Sequence, residues 1–242
     1  MDRFQSNGRL IAGVSFDIPG MGYKNPQTGA IEGFEADLAR AVGEKIVGSA
    51  ERVDFFQVTD AERIEDLQEG RVDFVVSQLT ITPDRAEQVD FSTPYYVTRE
   101  GLLVPKGSPI GRFEDLKGKR IAVTIGSVSL RRMRAALPSL PGATLVITPL
   151  SAGNLDAVDK GEADAASNDI INLTMLRAGS VDPEQYSIID IGDKFDSKPF
   201  GMAVKKGDRT LLSLLNEAIA SLEGHSQIDR LLDNALASLV RR

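Results

Sequence analysis

Cysteine is absent from the 242-residue chain, and histidine occurs once, as His225. Without cysteine there is no disulfide, no thiolate nucleophile and no cysteine-based metal site. His225 stands in a loop-like segment, residues 223–226, between two helical patterns, which argues against a histidine triad or a multi-histidine metal site. We therefore interpret His225 as exposed and structural, and we expect no catalytic residue, no bound metal and no cofactor.

Long apolar runs and an excess of positive charge are also missing. No stretch approaches the roughly 20 apolar residues that a membrane-spanning helix needs. The net charge is −7, and no basic stripe offsets it, which argues against nucleic acid as a partner. Residues 1–5 contain no apolar signal region, so if the natural protein is exported we expect its leader to have been removed.

Strand and helix patterns alternate along the first hundred residues. Short apolar, β-rich runs at 8–14, 53–58 and 72–76 predict buried strands. Residues 33–46 carry apolar side chains every four positions, which predicts a helix, and a shorter helix is predicted between residues 59 and 70. Strand, helix, strand, helix, strand is the pattern of a parallel α/β sheet with right-handed crossovers.

Two segments of the second half of the chain echo the first half. Residues 118–123 resemble residues 8–13, and residues 161–167 repeat the order of residues 70–77, in which Gly-x-x-Asp precedes a strand. The echoes are short, but they occur in the same order in both halves. We therefore predict two similar α/β lobes rather than one extended sheet.

Two extended segments, near 97–104 and 186–194, predict that the chain crosses between these lobes twice. The first lobe is then formed by residues 1–98 and 193–242, and the second by residues 99–192. Two lobes joined by two strands form a cleft that closes as a hinge. Ligands of open α/β sheets bind beyond the carboxyl ends of the strands, which is where we expect the site.

The stretch 77–96 collects groups that suit a small carboxylate. After the predicted strand come the hydroxyls of Thr80 and Thr82, a helix start at Pro83 and the guanidinium of Arg85. A guanidinium grips a carboxylate through two parallel hydrogen bonds, while hydroxyl and amide donors fill the remaining lone pairs. Taken alone, these residues are more typical of a strand, a capped helix start and a surface arginine. The other segments of the chain are needed to choose between this interpretation and a carboxylate site.

An ordered set of segments carries a resemblance to a known family. The segments are 33–38 (GFEADL), 70–73 (GRVD), 80–85 (TITPDR), 89–96 (VDFSTPYY), 116–119 (LKGK), 161–164 (GEAD), Asp169 and 200–208 (FGMAVKKGD). The set spans essentially the whole chain and resembles the extracytoplasmic solute-binding proteins of ABC importers, in their polar amino-acid, glutamate/aspartate-type branch. The resemblance implies a type II periplasmic binding protein fold, with two Rossmann-like lobes joined by a two-strand hinge.

The same resemblance implies roles for individual residues. Arg85 matches the arginine that clamps the α-carboxylate of the ligand, with Thr80 beside it. The backbone at Gln78 matches an acceptor for the α-ammonium group. Asp169, from the second lobe, matches the carboxylate that pairs with that ammonium.

Further positions match the family less closely. Ser127, Val128 and Ser129 fall where the family places small or hydroxyl residues at a helix N-terminus, donating N–H groups to the ligand carboxylate. Val128 departs from the threonine or glycine that is commoner there. Phe16 matches a loop position that shields the ligand. Ser15 departs from a neighbouring position that is charged in several relatives.

Arg63 bears on the identity of the ligand side chain. Members that bind acidic amino acids place an arginine in the corresponding segment, where it reaches the side-chain carboxylate. Arg63 lies in the first turn of its predicted helix, four residues before Leu67, so it need not point into solvent. The alternative is a surface ion pair with Glu62 or Asp66. We predict a ligand role for Arg63, and hence glutamate or aspartate as ligand, with asparagine and glutamine as neighbours.

The resemblance thus predicts a monomeric receptor, not an enzyme, that closes over a free L-amino acid and delivers it to an ABC transporter permease. It also implies a location in the periplasm or lipid-anchored at the cell surface. One alternative is a lyase of the same fold, similar to cyclohexadienyl dehydratase, which needs a carboxyl of raised pKa over the substrate; Asp169 is the one candidate. Another is the ligand-sensing domain of a membrane receptor, which only flanking sequence would distinguish.

Overall fold

The structure, a computed structural model, describes residues 8–240. The chain divides into two units: unit 1 comprises the residues up to Tyr96 together with those from Pro199 onward, and unit 2 runs from Val97 to Lys198. Residues 97–98 and 193–198, which the sequence predicted for the first lobe, lie in unit 2.

Strands and helices alternate along the described chain. The strands are β1 (Leu10–Val14), β2 (Asp17–Ile18), β3 (Gly22–Lys24), β4 (Ile31–Glu32), β5 (Val53–Gln57), β6 (Phe74–Val75), β7 (Val89–Thr98), β8 (Glu100–Pro105), β9 (Arg120–Thr124), β10 (Thr144–Thr148), β11 (Ala165–Asp169), β12 (Tyr186–Asp190) and β13 (Lys198–Lys205). The α-helices are α1 (Phe34–Val47), α2 (Arg63–Gln68), α3 (Pro83–Ala86), α4 (Val128–Ala136), α5 (Ala152–Asp159), α6 (Ile170–Ala178), α7 (Arg209–Glu223) and α8 (Gln227–Val240). Short 3-10 helices lie at Ala50–Arg52, Phe113–Leu116, Leu137–Ser139, Pro183–Gln185 and Gly192–Lys194.

Unit 1 is built on a five-stranded sheet with the strand order β5-β1-β6-β13-β7. Strand β1 pairs parallel with both β5 and β6, which confirms the predicted parallel strand-helix-strand arrangement. Strand β13 runs antiparallel to β6, so the sheet is mixed. The interior strand β1 is apolar and buried at all but one position, as expected for a strand covered on both faces. Strands β2, β3 and β4 form a separate antiparallel sheet.

Unit 2 repeats this arrangement with its own strands, in the order β10-β9-β11-β8-β12. Strand β9 pairs parallel with β10 and β11, and β8 runs antiparallel to β11 and β12. In unit 1 the strand β1 lies between β5 and β6, in unit 2 the strand β9 lies between β10 and β11, and in each sheet an antiparallel strand follows next, β13 in unit 1 and β8 in unit 2. This confirms the prediction of two similar α/β lobes.

The repeated Gly-x-x-Asp segments make the same contacts in both units. Asp73 accepts a hydrogen bond from the backbone N–H of Ile11 at 2.7 Å, and Asp164 accepts one from the backbone N–H of Arg120 at 2.8 Å. The glycine that opens each segment has a left-handed φ, 76° in the first copy and 68° in the second, which suits a residue without a Cβ atom after a helix. The motif therefore joins neighbouring strands of the frame, and its recurrence is a signal of the fold.

Most of the local predictions hold, with small shifts of boundary. The helix predicted at 33–46 is α1, and Pro83 is the first residue of α3, as expected. The strand predicted at 72–76 is shorter, Phe74–Val75, although the N–H groups of Asp73 and Val76 also donate to carbonyls of β1. His225 is exposed, as predicted. No helix within residues 8–240 has both the length and the apolar character to span a membrane.

Candidate functional site

The predicted carboxylate clamp lies just beyond the carboxyl end of β6 in unit 1. Arg85 is only 5% exposed, and its Nη1 donates a hydrogen bond to the backbone carbonyl of Thr80 at 2.9 Å. Thr80 is also buried, and it forms a β-bridge with Phe200. Because a guanidinium is planar, this bond restricts the orientation of its remaining donors. The structure thus brings Arg85 and Thr80 together and holds the arginine in one place.

Gln78 stands in a strained backbone conformation that a buried carboxylate supports. Its φ of 47° is uncommon for a residue other than glycine, and such a conformation persists where the surroundings hold it. The backbone N–H of Gln78 donates to Oε1 of Glu35 at 2.6 Å, and the hydroxyl of Tyr95 donates to the same oxygen at 2.5 Å. Glu35, in the first turn of α1, therefore fixes the segment that the sequence assigned to the ligand.

Glu35 is fully buried, and burial raises its pKa to about 7. The hydrogen bonds from Tyr95 and from the Gln78 N–H, together with the charge of Arg63, favour the carboxylate and limit the rise of the pKa. Burial also raises the pKa of Tyr95 well above its ordinary value, and the neighbouring carboxylate adds to this rise. Glu35 Oε2 makes no hydrogen bond to any described residue. At neutral pH the Glu35 carboxyl is thus poised between its two protonation states.

Arg63 is buried inside unit 1, with 2% of its surface exposed. Its Nη1 donates to Oδ1 of Asp60 at 2.6 Å and to the backbone carbonyl of Ser77 at 2.5 Å. The alternative of a surface ion pair with Glu62 or Asp66 is therefore wrong: the partner is Asp60, one turn earlier, and the arginine is not on the surface. Its Nε finds no acceptor among residues 8–240.

Ser15 and Phe16 follow directly after β1, next to the strand end that carries Ser77. The Ser15 hydroxyl lies 2.6 Å from the Ser77 hydroxyl, and both side chains are buried. Phe16 is half-buried, and its backbone carbonyl accepts a hydrogen bond from the N–H of Lys24 at 3.0 Å. The carboxyl ends of β1 and β6 thus bring together several of the predicted positions. We call the following residues the unit 1 cluster: Ser15, Glu35, Asp60, Arg63, Ser77, Gln78, Thr80 and Arg85.

In unit 2, Asp169 ends strand β11 and has only 8% of its side chain exposed. Its Oδ1 lies 3.1 Å from Nζ of Lys198, an ion-pair distance without hydrogen-bond geometry. The same Nζ donates to the Ser129 hydroxyl at 2.8 Å. Lys198 therefore connects Asp169 and Ser129, two residues that the sequence predicted for the ligand.

The buried carboxylate of Glu100 also contacts this lysine. Glu100 is fully buried; its Oε2 lies 2.7 Å from Lys198 Nζ and 3.4 Å from Nη1 of Arg132, and its Oε1 accepts from the Ser167 hydroxyl at 2.8 Å. We call Glu100, Ser127, Ser129, Arg132, Asp169 and Lys198 the unit 2 cluster. Lys198 and Glu100 were not predicted from the sequence; the available signal was a charged residue at the start of an otherwise apolar strand, β13 for Lys198 and β8 for Glu100.

Ser127 caps helix α4, and Val128 is the first residue of that helix. The Ser127 hydroxyl accepts from the N–H of Leu130 at 3.0 Å and donates to the carbonyl of Thr124 at 2.7 Å. Its backbone N–H donates to the same carbonyl at 3.2 Å. The polar groups of Ser127 are thus used within the turn, and this leaves Val128 and Ser129 as the candidates for donating helix N–H groups to a ligand.

The two clusters consist of ion pairs and hydrogen-bonded hydroxyl groups. Lys198 Nζ lies within ion-pair distance of two carboxylates and donates a hydrogen bond to the Ser129 hydroxyl. Within residues 8–240, no group of histidine, aspartate and glutamate side chains is placed to hold a metal ion. The chemistry on offer is recognition of charged groups.

Comparison with known proteins identifies the fold and the family. The two similar mixed α/β lobes define a type II periplasmic binding protein fold. Residues 10–237 match the model of the bacterial extracellular solute-binding proteins, family 3, and the chain belongs to that family.

Among its relatives, the ABC transporter glutamine-binding protein GlnH of Bacillus subtilis is 32% identical over 228 residues, covering 94% of this chain and 81% of the relative. The glutamate-binding protein GluB of Corynebacterium efficiens is 25% identical, covering 95% and 79%. One similar solved structure is an ancestral amino-acid-binding protein described as a precursor of cyclohexadienyl dehydratase. It shares 31% identity and a TM-score of 0.84, and the match covers 97% of this chain and 98% of that one.

Proposed function

We propose that this protein is an extracytoplasmic receptor that binds a free L-amino acid and delivers it to the permease of an ABC importer. The observation that carries the proposal is the opposite chemistry of the two clusters. Unit 1 holds the guanidinium of Arg85 beside Thr80, and unit 2 holds the carboxylate of Asp169. An amino acid is a zwitterion, which needs a cation for its carboxylate and an anion for its ammonium group.

The mechanism that fits is enclosure of the ligand by closure of the hinge. When water is excluded, charge-assisted hydrogen bonds to the guanidinium and to the carboxylate strengthen, because the effective dielectric constant falls. A ligand that contacts both lobes favours the closed form only through its higher affinity for that form. Binding to one lobe alone would not drive closure.

For the side chain of the ligand we propose a neutral polar group, with glutamine as the leading candidate. The predicted preference for glutamate or aspartate depended on Arg63 as a free positive charge. Asp60 lies 2.6 Å from Nη1 of Arg63, so this charge is already compensated within unit 1. The glutamine-binding and glutamate-binding relatives, at 32% and 25% identity, support the same choice.

The lyase alternative has less support. The sequence offered Asp169 as the one candidate for a general acid, and this carboxylate has Lys198 beside it. The carboxyl whose pKa is raised to about 7 is Glu35, but it is fully buried and its Oε1 is taken by Tyr95 and Gln78. A general acid must reach the substrate. We therefore propose a binding protein; a sensor domain would bind the same ligands.

A panel of the twenty amino acids in a thermal-unfolding assay tests the proposal. A ligand that binds only the folded state raises the unfolding midpoint by mass action, and we expect glutamine to give the largest shift. Arg85→Ala should abolish the shift while leaving the protein folded. Arg52→Ala is the matched control, because Arg52 is an exposed arginine of the same unit at the opposite end of the sheet.

Two results would contradict the proposal in different ways. A shift with glutamate or aspartate, but none with glutamine, would show that Arg63 serves an acidic side chain as the sequence predicted. Glutamine affinity in Arg85→Ala within about twofold of the parent value, measured by calorimetry, would remove Arg85 from the site.

A further inference from the structure

We propose that Lys198 is a specificity-determining residue, whose buried charge beside Asp169 makes the site reject amino acids with a cationic side chain. The proposal rests on the proposed function, because it assumes that Asp169 receives the α-ammonium group of a bound amino acid. Lys198 is not itself assigned to the ligand: it acts on the ligand through charge and through the position of Asp169.

The strand pairing in unit 2 creates the need for this lysine. Asp169 on β11 and Glu100 on β8 are directly opposite partners in the antiparallel pair. Like charges at opposed positions of a strand pair repel one another, and burial increases the repulsion. Glu100 is fully buried and Asp169 nearly so. Two carboxylates in this arrangement require a cation between them.

Lys198 supplies that cation, in contact with both carboxylates and with one hydroxyl group. Its Nζ lies 2.7 Å from Glu100, 3.1 Å from Asp169 and 2.8 Å from the Ser129 hydroxyl, and the side chain is 1% exposed. A buried ammonium is tolerated where it is paired and hydrogen-bonded. These contacts hold the lysine ammonium group between the two carboxylates.

The charge balance of the cluster then determines which ligands fit. Two carboxylates, Glu100 and Asp169, stand against two cations, Lys198 and Arg132, the latter 3.4 Å from Glu100. The cluster is neutral before a ligand brings its α-ammonium group. A cationic side chain would add a further positive charge that no described carboxylate of the cluster is left to balance.

Removal of the lysine charge should therefore shift selectivity in a known direction. A unit charge within about 10 Å, at an effective dielectric constant of about 20, changes a binding constant by about tenfold or more. In Lys198→Met we expect the ratio of glutamine affinity to lysine affinity to fall at least about tenfold. The ratio of glutamate affinity to glutamine affinity should fall as well. A loss of Asp169 orientation would weaken all α-amino acids alike, so these ratios separate the charge effect from a structural one.

The experiment is competition calorimetry of the full chain with glutamine, lysine and glutamate. Lys198→Arg keeps the charge and should keep the parent ratios. Lys198→Met combined with Glu100→Gln restores the charge balance and should bring both ratios back toward the parent values. Lys117→Met, at an exposed lysine of the same unit, is the matched control and should change neither ratio.

Glu100→Gln alone provides the opposite shift, since it adds net positive charge, and it serves if Lys198→Met does not fold. In Glu100→Gln the ratio of glutamate affinity to glutamine affinity should rise. Ratios within about twofold of the parent in both single variants would overturn the role of Lys198 while leaving the receptor function intact. Failure of the parent protein to bind any amino acid would overturn the proposed function and this inference together.

Discussion

The two units share one strand order but support their candidate sites with opposite charges. In the unit 1 cluster the buried carboxylate of Glu35 holds the backbone of Gln78, and the group that we propose for the ligand is the guanidinium of Arg85. In the unit 2 cluster the buried ammonium group of Lys198 contacts Asp169, the carboxylate that we propose for the ligand. Apolar strands and the repeated Gly-x-x-Asp contacts form the common sheet frame of the two units, but they do not determine which group of a ligand each unit recognises. The side chains at the strand ends, and the buried charged residue that contacts them, determine this.

The supporting charges differ in how completely they are compensated. Lys198 has two carboxylates and a hydroxyl as neighbours, whereas Oε2 of Glu35 has no hydrogen-bond partner among the described residues. A buried carboxylate with an unsatisfied oxygen costs stability when it is charged. The contribution of Glu35 to the stability of unit 1 therefore depends on pH, and this dependence can be measured.

The comparison is tested most strongly by Glu35→Gln. The folded-state pKa of Glu35, about 7, lies above its ordinary value of 4.5, so the folded state binds the proton more tightly. The contribution of Glu35 to stability is then complete below pH 4.5 and is lost as pH rises toward 7. A glutamine keeps an oxygen to accept from Gln78 and Tyr95 but carries no charge. At about pH 8 the variant should be more stable than the parent by up to about 3 kcal/mol, with no gain at about pH 4.

Urea unfolding at both pH values measures this difference in the free energy of unfolding. Glu44→Gln, at an exposed position of the same helix, is the control and should stay within about 0.5 kcal/mol of the parent at either pH. If Glu35→Gln were less stable than the parent at about pH 8, the carboxylate would be a net stabiliser of unit 1. This result would contradict the contrast between Glu35 and the fully compensated Lys198.

A smaller effect tests the common frame. Asp73→Ala removes the acceptor for the Ile11 N–H in unit 1, and Asp164→Ala removes the acceptor for the Arg120 N–H in unit 2. We expect each to lower the free energy of unfolding by about 1–2 kcal/mol, because a backbone donor loses a charged partner. Chemical unfolding of each variant gives the loss.

The matched controls are Asp73→Asn and Asp164→Asn, which retain an acceptor oxygen and should lose less than the alanine variants. A loss from Asp73→Ala with none from Asp164→Ala would show that the sequence echo does not reflect equal structural roles in the two units.

The frame was accessible from sequence because apolar periodicity and repeated motifs report on it directly. The parallel pairing of β1 with β5 and β6, the extent of α1 and the helix start at Pro83 followed from such patterns. The similarity of the two units followed from two short echoes. These signals are local, and each reports on packing that every residue of the segment shares.

The supporting charges were not accessible in this way. Glu35 and Lys198 are charged residues that a pattern assigns to solvent, and their burial depends on partners far away in the sequence. For Arg63 a ligand role was predicted, and the alternative ion pair named Glu62 or Asp66; neither considered Asp60, which lies before the helix and not on its face. Only the folded chain shows that these charges are buried and which group compensates each of them.

The central claim is that Arg85 and Asp169 serve opposite ends of one zwitterion. The direct measurement is calorimetry of glutamine and of two analogues, one without the α-ammonium group and one without the α-carboxylate, on the parent, Arg85→Ala and Asp169→Asn. The parent should lose at least about a hundredfold in affinity for either analogue, because each analogue lacks one of the two charge-assisted interactions that hold the zwitterion. Arg85→Ala should become indifferent to the missing carboxylate alone, and Asp169→Asn to the missing ammonium alone. Equal sensitivity of both variants to both analogues would contradict the account.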